Sequence, residues 1–167
     1  GQVTENFWDH HNRLFKVEER SVGGIVLKTV EYEYDTFGRR TTEIVNGAAT
    51  LRVVHSRDDT WGDYNKTGEF ETNYLYTNNI DQMVAAFRTT EGLVWYNSDR
   101  LGTVRSLTNA SGLLGGVNQF SVFGEIREEA VSWNRFSFMG REWQREISGF
   151  YYRSRVYDPF ASRFQTN

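Results

Sequence analysis

A short motif occurs twice near the start of the chain and limits the folds available to it. The motif is an aromatic residue, an aspartate, two variable positions, a glycine or asparagine, and an arginine, and its copies are Trp8, Asp9, Asn12 and Arg13 and then Tyr34, Asp35, Gly38 and Arg39. Aspartate accepts hydrogen bonds from nearby backbone amides and glycine adopts a positive φ, so the motif is typical of a hairpin turn. A hairpin that recurs in this way cannot bury its own face, and it therefore predicts a repetitive β-sheet.

Other segments extend the same pattern along the chain. Asn46-Gly47 is a strong hairpin signal between predicted strands at Thr41–Val45 and Ala48–Val54. Glycine turns separate three further predicted strands, which are Met83–Arg88, Leu93–Tyr96 and Val104–Thr108. The polar stretch Arg57–Glu71 is predicted to be mostly loop, and Arg141–Glu146 is the best candidate for a short helical turn. The chain is therefore predicted to be all-β, built from antiparallel hairpins with little helix.

Composition agrees with strands and excludes several kinds of partner. Aromatic residues make up 16% of the chain, which favours strands. The net charge is −3 with scattered basic residues, so we expect no nucleic-acid partner. No apolar run reaches the 18 residues of a transmembrane span. The absence of cysteine excludes disulfides and thiolate metal sites, and we expect no cofactor and no metal.

Candidate ligands and modification sites have simpler interpretations. The three histidines are His10, His11 and His55. Adjacent residues on a strand point to opposite faces, so His10 and His11 could bind one metal ion together only in a special turn. We therefore interpret the histidines as solvated side chains at turns. Asp58 and Asp59 lack the spacing of a calcium loop. Two glycan acceptor patterns begin at Asn65 and Asn109, and we expect neither to be modified. No nucleophile elbow, phosphate loop or zinc-protease motif is present.

The last third of the chain carries the most distinctive sequence. Residues 134–143 read NRFSFMGREW, residues 148–159 read SGFYYRSRVYDP, and residues 95–112 read WYNSDRLGTVRSLTNASG. These runs resemble the conserved core of the RHS, or YD-repeat, proteins, including Tc toxin C subunits and teneurin-like shells. The motif residues that carry the resemblance are Trp8, Asp9, Arg13, Tyr32, Tyr34, Asp35, Gly38, Arg39, Asp99, Gly102, Tyr152, Tyr157, Asp158 and Pro159.

The resemblance implies both a fold and a function. Members of this family wind their hairpins into a spiral β-sheet shell that encloses a C-terminal toxin, so we expect part of such a cocoon. We divide the chain into a YD-repeat segment, residues 1–94, and a segment of the RHS-associated core, residues 95–167. The implied partners are the remaining repeats of a parent shell and its toxin cargo, and the implied location is outside the bacterial cell after secretion or delivery. The chain opens inside a repeat, which indicates a piece of a longer protein.

One residue has an implied catalytic role. Many RHS cores resemble a self-cleaving aspartyl protease, in which an arginine of the R-x-Y-D-P motif acts with an aspartate of a following motif. The arginine corresponds to Arg155, and the partner aspartate would fall just past Asn167. An arginine alone does not hydrolyse an amide, so we expect no hydrolytic activity here and treat Arg155 as part of an incomplete site. The alternative is a structural strand arginine, stacked or ion-paired.

A different class of function stays open. The same repeats build cell-surface adhesion modules, in which exposed aromatic side chains stack on sugars. The tryptophans that could bind glycans are Trp61, Trp95, Trp133 and Trp143. The sequence therefore predicts a toxin-enclosing shell, with a carbohydrate-binding module as the alternative.

Overall fold

The computed structural model describes residues 1–78 and 81–165, which form strands and a few short turns of helix. The strands of the first two thirds are β1 Gln2–Trp8, β2 Leu14–Ser21, β3 Val26–Tyr34, β4 Arg40–Val45, β5 Ala48–Ser56, β6 Asp59–Tyr64, β7 Phe70–Tyr76, β8 Met83–Arg88, β9 Gly92–Ser98, β10 Val104–Asn109 and β11 Leu114–Val117. The remaining strands are β12 Gln119–Phe120, β13 Ile126–Glu128, β14 Glu142–Gln144, β15 Gly149–Tyr152, β16 Arg155–Asp158 and β17 Arg163–Gln165. The prediction of an all-β fold of antiparallel hairpins is confirmed.

The first eleven strands form one antiparallel sheet in the order of the sequence. Each inner strand pairs with the one before it and the one after it, and β1 and β11 form the edges, so every connection within this sheet is a hairpin. The turn between β4 and β5 shows how the sequence achieves this, because Asn46 and Gly47 have φ values of 50° and 80°. Two successive positive φ values match the twist of the flanking strands. The sheet therefore grows by local pairing, with long-range contacts needed only to cover its face.

The C-terminal third forms two smaller sheets, one of which contacts the large sheet through Val156. β12 and β13 make a two-stranded ribbon, and β14 to β17 make a four-stranded sheet in sequence order. Two 3-10 turns, Phe138–Gly140 and Arg145–Ile147, lie on either side of β14. We call residues 130–158 the covering segment, since its side chains contact the large sheet.

Two apolar cores join the covering segment to the large sheet. In the first, Val156 packs with four residues of β2 and β3, which are Leu14, Val17, Val30 and Tyr32. In the second, Phe136 packs against side chains of β7 to β10, which are Tyr74, Ala86, Val94, Tyr96, Val104 and Leu107. Fully burying a valine or leucine side chain contributes about 1.5–3 kcal/mol. The covering segment is therefore held at two separate places, with β4 to β6 between them.

One prediction about local structure is wrong, and another holds only in part. Arg57–Glu71 is not mostly loop, since it contains β6 and the start of β7. Its inward side chains Thr60 and Asp63 are buried although they are polar, so hydrophobic alternation is missing there. Arg141–Glu146 is a helical turn only at its end: the strand β14, Glu142–Gln144, occupies half of it and pairs with β15, and its last two residues begin the 3-10 turn Arg145–Ile147.

The large sheet continues without a break across the division between residues 94 and 95, which falls inside β9. The division into a repeat segment and a core segment stays a prediction about sequence families. Within residues 1–78 and 81–165, no helix has the length and apolar character needed to span a membrane.

Candidate functional site

The two predicted repeat turns have the same hydrogen bonds. Oδ1 of Asp35 accepts from the backbone N–H groups of Phe37 and Arg39 at 2.9 Å, and its Oδ2 accepts from Nε of Arg39 at 2.8 Å. Asp9 does the same at the first turn. Gly38 takes the positive φ that closes the turn, with a value of 78°. Each aspartate thus satisfies two backbone donors and fixes one arginine.

Similar turns occur where the sequence analysis placed one and also where it placed none. Asp99 accepts from the backbone of Leu101 and Thr103, with Gly102 at a φ of 80°. Asn65 and Asn109 bind the backbone N–H groups two and four residues ahead in the same way. The Asx-x-x-Gly spacing is visible at both asparagines and could have identified the turn at Asn65, which the sequence analysis left within a loop. Their side-chain oxygens cap these turns.

The turn aspartates have lowered pKa values. Partial burial raises the pKa of Asp35, but hydrogen bonds from the backbone and side chain of Arg39 and from the backbone of Phe37 outweigh it. The pKa values of Asp9 and Asp99 are lowered by the same balance. All three carboxylates are therefore stabilised in their charged form by folding.

The predicted aromatic residues of the repeats lie at the interface with the covering segment. The Tyr34 hydroxyl donates to the carbonyl oxygen of Leu14 at 2.7 Å, and the Arg13 guanidinium carbon lies 4.6 Å from the centre of its ring. Burial raises the pKa of Tyr34 to about 12. Trp8 packs against the first core, and Tyr32 is buried in it. Successive repeats are therefore joined through an arginine of one turn and a tyrosine of the next.

The predicted residues of the C-terminal motif cluster around Phe164. Tyr152 and Tyr157 contact its ring edge-on, with ring centres 5.2 and 5.3 Å away. The Arg155 guanidinium carbon lies 4.0 Å from the centre of the same ring. Arg155 is exposed, and it forms no ion pair with any carboxylate in the described ranges.

Asp158 caps a turn of its own rather than facing Arg155. Its Oδ1 accepts from the backbone N–H groups of Phe160 and Ala161 at 2.9 and 3.0 Å. Pro159, which is buried, lies within this turn. The structure therefore leaves the Arg155 guanidinium stacked on an aromatic ring and unpaired with Asp158.

A buried group of charges lies between the two apolar cores. Arg135 binds Asp63 through two bonds, from Nε to Oδ2 at 2.9 Å and from Nη2 to Oδ1 at 2.5 Å. Its Nη1 lies 2.5 Å from Oε2 of Glu142, and Arg40 pairs with the other carboxylate oxygen of Glu142. The side chains of all four are at most 11% exposed. We call Arg40, Asp63, Arg135 and Glu142 the ionic seam, and it connects β4 and β6 to the covering segment.

Aromatic rings surround the ionic seam. The Arg40 guanidinium carbon lies 4.9 Å from the centre of the Tyr32 ring and 4.4 Å from that of Tyr151, one from the sheet and one from the covering segment. The Tyr74 hydroxyl donates to Oδ2 of Asp63 at 2.6 Å. Burial, together with the nearby Asp63 charge, raises the pKa of Tyr74 well above its ordinary value. The tyrosine therefore stays a donor and supports the Asp63 carboxylate.

His55 lies beside the ionic seam, whereas the other two histidines lie at the first turn. Its Nε2 is 2.7 Å from the carbonyl oxygen of Arg40, which can only accept, so the ring donates there. Burial lowers the pKa of His55, and the positive charges of Arg39 and Arg135 lower it further. The rings of His10 and His11 lie 3.9 Å apart. No cluster of three potential metal-binding side chains occurs in the part of the chain that the structure describes.

The four tryptophans suggested for sugar stacking have different surroundings. Trp61 and Trp95 are 43% and 45% exposed on the large sheet. Trp133 packs against the second core, with the Arg88 guanidinium over its ring. The ring centres of Trp143 and Phe150 lie 4.8 Å apart. Two of the four side chains suggested for sugar stacking are therefore engaged by the protein itself.

Comparison with solved structures identifies the fold. A crystal structure of TcdB2–TccC3–TEV matches 98% of this chain with a TM-score of 0.69 and 16% identity. A Tc holotoxin pore from Photorhabdus luminescens, carrying a TccC3 mutation, matches 98% with a TM-score of 0.70 and 16% identity. The chain shares its fold with part of these toxin chains. It spans 9% of the length of each.

The structural likeness agrees with the fold that the sequence resemblance implied, and at this identity it concerns the fold alone. TcdB2–TccC3–Cdc42 gives a third match over 99% of the chain, with a TM-score of 0.68, 18% identity and the same 9% share of the larger chain. No family model matches the chain, and neither does any curated protein.

The ionic seam is the feature that the sequence analysis missed. Asp63 lies in a stretch predicted to be loop, and Arg135 and Glu142 flank a conspicuous aromatic motif. The members are separated by up to about a hundred residues, and nothing in their local spacing marks them as partners. A single weak signal was present, since Arg135 and Glu142 are charged residues next to a segment rich in aromatic residues.

Proposed function

We propose that this chain is part of the wall and the covering segment of a shell that encloses a C-terminal toxin cargo. The observation that carries the proposal is the eleven-stranded sheet with one face covered, which matches a small part of much longer Tc toxin chains over 98% of its own length. A sheet that grows hairpin by hairpin can be extended at its ends without changing its interior. Enclosure is a function of such a wall, and it needs no catalytic residue in the wall.

The free sheet edge supports the proposal that further repeats are partners. Within the described ranges β1, Gln2–Trp8, pairs with β2 on one side only. Its first four residues are exposed. An exposed strand edge of this length offers unpaired backbone groups to another strand, and natural proteins seldom leave one open. We therefore infer that a preceding repeat of the parent protein pairs with β1.

The covering segment supports the proposal of a closed interior. Two apolar cores and the ionic seam hold it across the large sheet, so it would act as a fixed partition at the C-terminal end of the wall. A cargo that follows it in the chain would be delivered outside the producing cell, as the Tc toxin likeness suggests. The adhesion alternative is not favoured, because the structural matches are to toxin chains.

Protection of the cargo from proteases tests the proposal. In the full-length parent protein, we expect the cargo to resist limited proteolysis and to become cleavable at the denaturant concentration that unfolds the shell, with fragments assigned by mass spectrometry. Digestion of the cargo in native buffer while the shell stays intact would refute enclosure.

The role of Arg155 in self-cleavage is a second proposal, favoured by its freedom from any carboxylate within the described residues. An unpaired guanidinium can bind an incoming carboxylate and hold it ionised. In the parent protein we expect a shorter product that disappears in Arg155→Ala. Phe164→Leu is the matched control for orientation, since it keeps the charge and removes the stacking ring. Equal cleavage in wild type and Arg155→Ala would exclude the role.

A further inference from the structure

The large sheet is open between β4 and β5 at the end where Arg40 joins the ionic seam. The pairing of these two strands ends at Thr42 and Arg52, although β4 begins at Arg40 and β5 continues to Ser56. A cavity of about 320 Å³ lies at this opening. Its lining includes His55 of β5 together with residues of β4, of β6 and of the covering segment. Side chains, rather than the backbone ladder, therefore connect β4 to β5 here.

His55 bridges the opening. Its Nε2–H donates to the carbonyl oxygen of Arg40, the first residue of β4, at 2.7 Å. The Arg39 guanidinium binds the carbonyl oxygen of Arg57 across the same opening. The side chain of Arg40 pairs with Glu142 of the covering segment. The histidine ring therefore holds the backbone of a residue whose side chain anchors the covering segment.

The surroundings of the ring favour its neutral form. Its Nδ1 is buried and has no hydrogen-bond partner among the described residues. In the neutral ring this nitrogen is an acceptor, and protonation turns it into a charged donor. Burial lowers the pKa of His55, and the charges of Arg39 and Arg135 lower it further. The hydrogen bond to Arg40 and the charge of Asp35 act in the opposite direction and only reduce the shift of the pKa.

No carboxylate in the described part of the chain accepts a hydrogen bond from Nδ1 of His55. The carboxylates on the strands and turns around the ring are bound to arginines, in the pairs Asp35–Arg39, Asp63–Arg135, Glu142–Arg40, Glu142–Arg135, Asp81–Arg141 and Asp81–Arg153. The remaining titratable side chains of the cavity lining are His11, Arg13, Asp58, Tyr76 and Tyr151. Arg13 is paired with Asp9, and Asp58 is exposed at the turn after β5. A protonated ring would therefore have to move toward solvent to find an acceptor.

We propose that the hydrogen bond from His55 to the Arg40 carbonyl is an acid-sensitive latch for the covering segment. On protonation the ring moves toward solvent, the Arg40 carbonyl loses its donor, and the opening between β4 and β5 widens beside the ionic seam. The unfolded chain binds a proton at an ordinary histidine pKa of about 6.5. The stabilisation by the neutral ring is therefore complete above that pH, and it is lost as the pH falls toward the lower pKa of His55 in the folded chain.

The latch acts in a pH range of its own. The turn aspartates lose their stabilisation only below about pH 4, because their unfolded pKa values lie there. If the covering segment is the partition of a shell, mild acid loosens that partition. This last consequence rests on the proposed function, whereas the latch itself does not.

Hydrogen exchange of the whole chain tests the latch, with mass spectrometry at about pH 7.5 and about pH 5.5 and correction for intrinsic exchange rates. The amide of Trp143 donates to the carbonyl oxygen of Arg135, so peptides that contain it report on the ionic seam. About one pH unit below the unfolded pKa, we expect their protection factor to be lower by up to about tenfold. Equal protection factors at the two pH values would overturn the proposal.

Two histidine variants locate the effect. His55→Gln keeps an N–H group for the Arg40 carbonyl but does not titrate, so its protection factors should be equal at the two pH values. His10→Gln is the matched control, since His10 is exposed at the first turn, and it should keep the pH dependence of the wild type. The two pH values are compared within each variant, so a general loss of stability does not change the result. A pH dependence of wild-type size in His55→Gln would overturn the latch.

A proton NMR titration of the wild-type chain gives a check that needs no variant. The ring proton on Cε1 of His55 should titrate with a midpoint below the ordinary value of about 6.5, whereas the exposed His10 serves as the internal reference. A midpoint for His55 at or above that value would contradict the proposal.

Discussion

Replacing Arg135 by methionine should be among the most destabilising single changes outside the apolar cores. Methionine keeps much of the apolar length of the side chain but leaves Asp63 buried with the Tyr74 hydroxyl as its remaining side-chain donor. Glu142 keeps its ion pair with Arg40, so the destabilisation comes mainly from the unpaired Asp63 carboxylate. Removing one partner of a buried ion pair costs about 3–5 kcal/mol because the other charge stays desolvated. The Arg135 guanidinium also lies over the Phe136 ring, 4.8 Å from its centre, and that contact is lost too.

Thermal and urea unfolding, both followed by circular dichroism, measure the effect of Arg135→Met. At about 2–4 °C per kcal/mol for a chain of this length, the melting temperature should fall by roughly 6–20 °C. Arg127→Met is the control, because its exposed pair with Glu125 contributes at most about 1 kcal/mol. The double variant with Asp63→Asn should recover part of the loss, since the unpaired charge is then gone. A loss below about 1 kcal/mol in Arg135→Met, with an unchanged m-value, would refute the reasoning about the ionic seam.

Two further predictions concern the turns, and a third concerns a glycine of β11. Asp35→Ala removes the acceptor of two backbone N–H groups and should cost about 1–2 kcal/mol in a melting experiment, whereas no change would contradict the turn's contribution. The turn aspartates have lowered pKa values in the folded chain, so their stabilisation is complete above the unfolded pKa of about 3.8 and is lost as the pH falls through the folded pKa values. The urea concentration at the unfolding midpoint should therefore decrease when the pH is lowered below 4, and it should decrease less in Asp35→Asn. Gly116→Ala would place a Cβ 2.4 Å from the carbonyl oxygen of Ala130 at a φ of +143°, so it should destabilise the chain by about 1–3 kcal/mol, and a neutral result would contradict this packing.

The turn chemistry made much of the fold predictable. Asn46-Gly47 specifies a two-residue hairpin by its backbone preferences alone, and both flanking strands were predicted close to their observed bounds. The predicted strand at Met83–Arg88 matches β8, because small and apolar residues there face the second core. Features encoded within a few residues of one another can be derived from sequence.

The interface with the covering segment could not be derived in the same way. β6 was missed because its inward residue Asp63 is matched to Arg135 from far along the chain, so its polar character is correct only in the folded state. Polar groups that are satisfied by distant partners have no local pattern, whereas apolar residues that face a core do.

The account's central claim is that hairpins of this kind form the wall of an enclosure, and electron cryo-microscopy of the full-length parent protein tests it most directly. We predict that β1 pairs on its free edge with a preceding repeat, that the covering segment crosses the sheet inside a closed shell, and that density for the cargo lies within that shell. A sheet with an open β1 edge, or a cargo domain folded outside in solvent, would contradict the account.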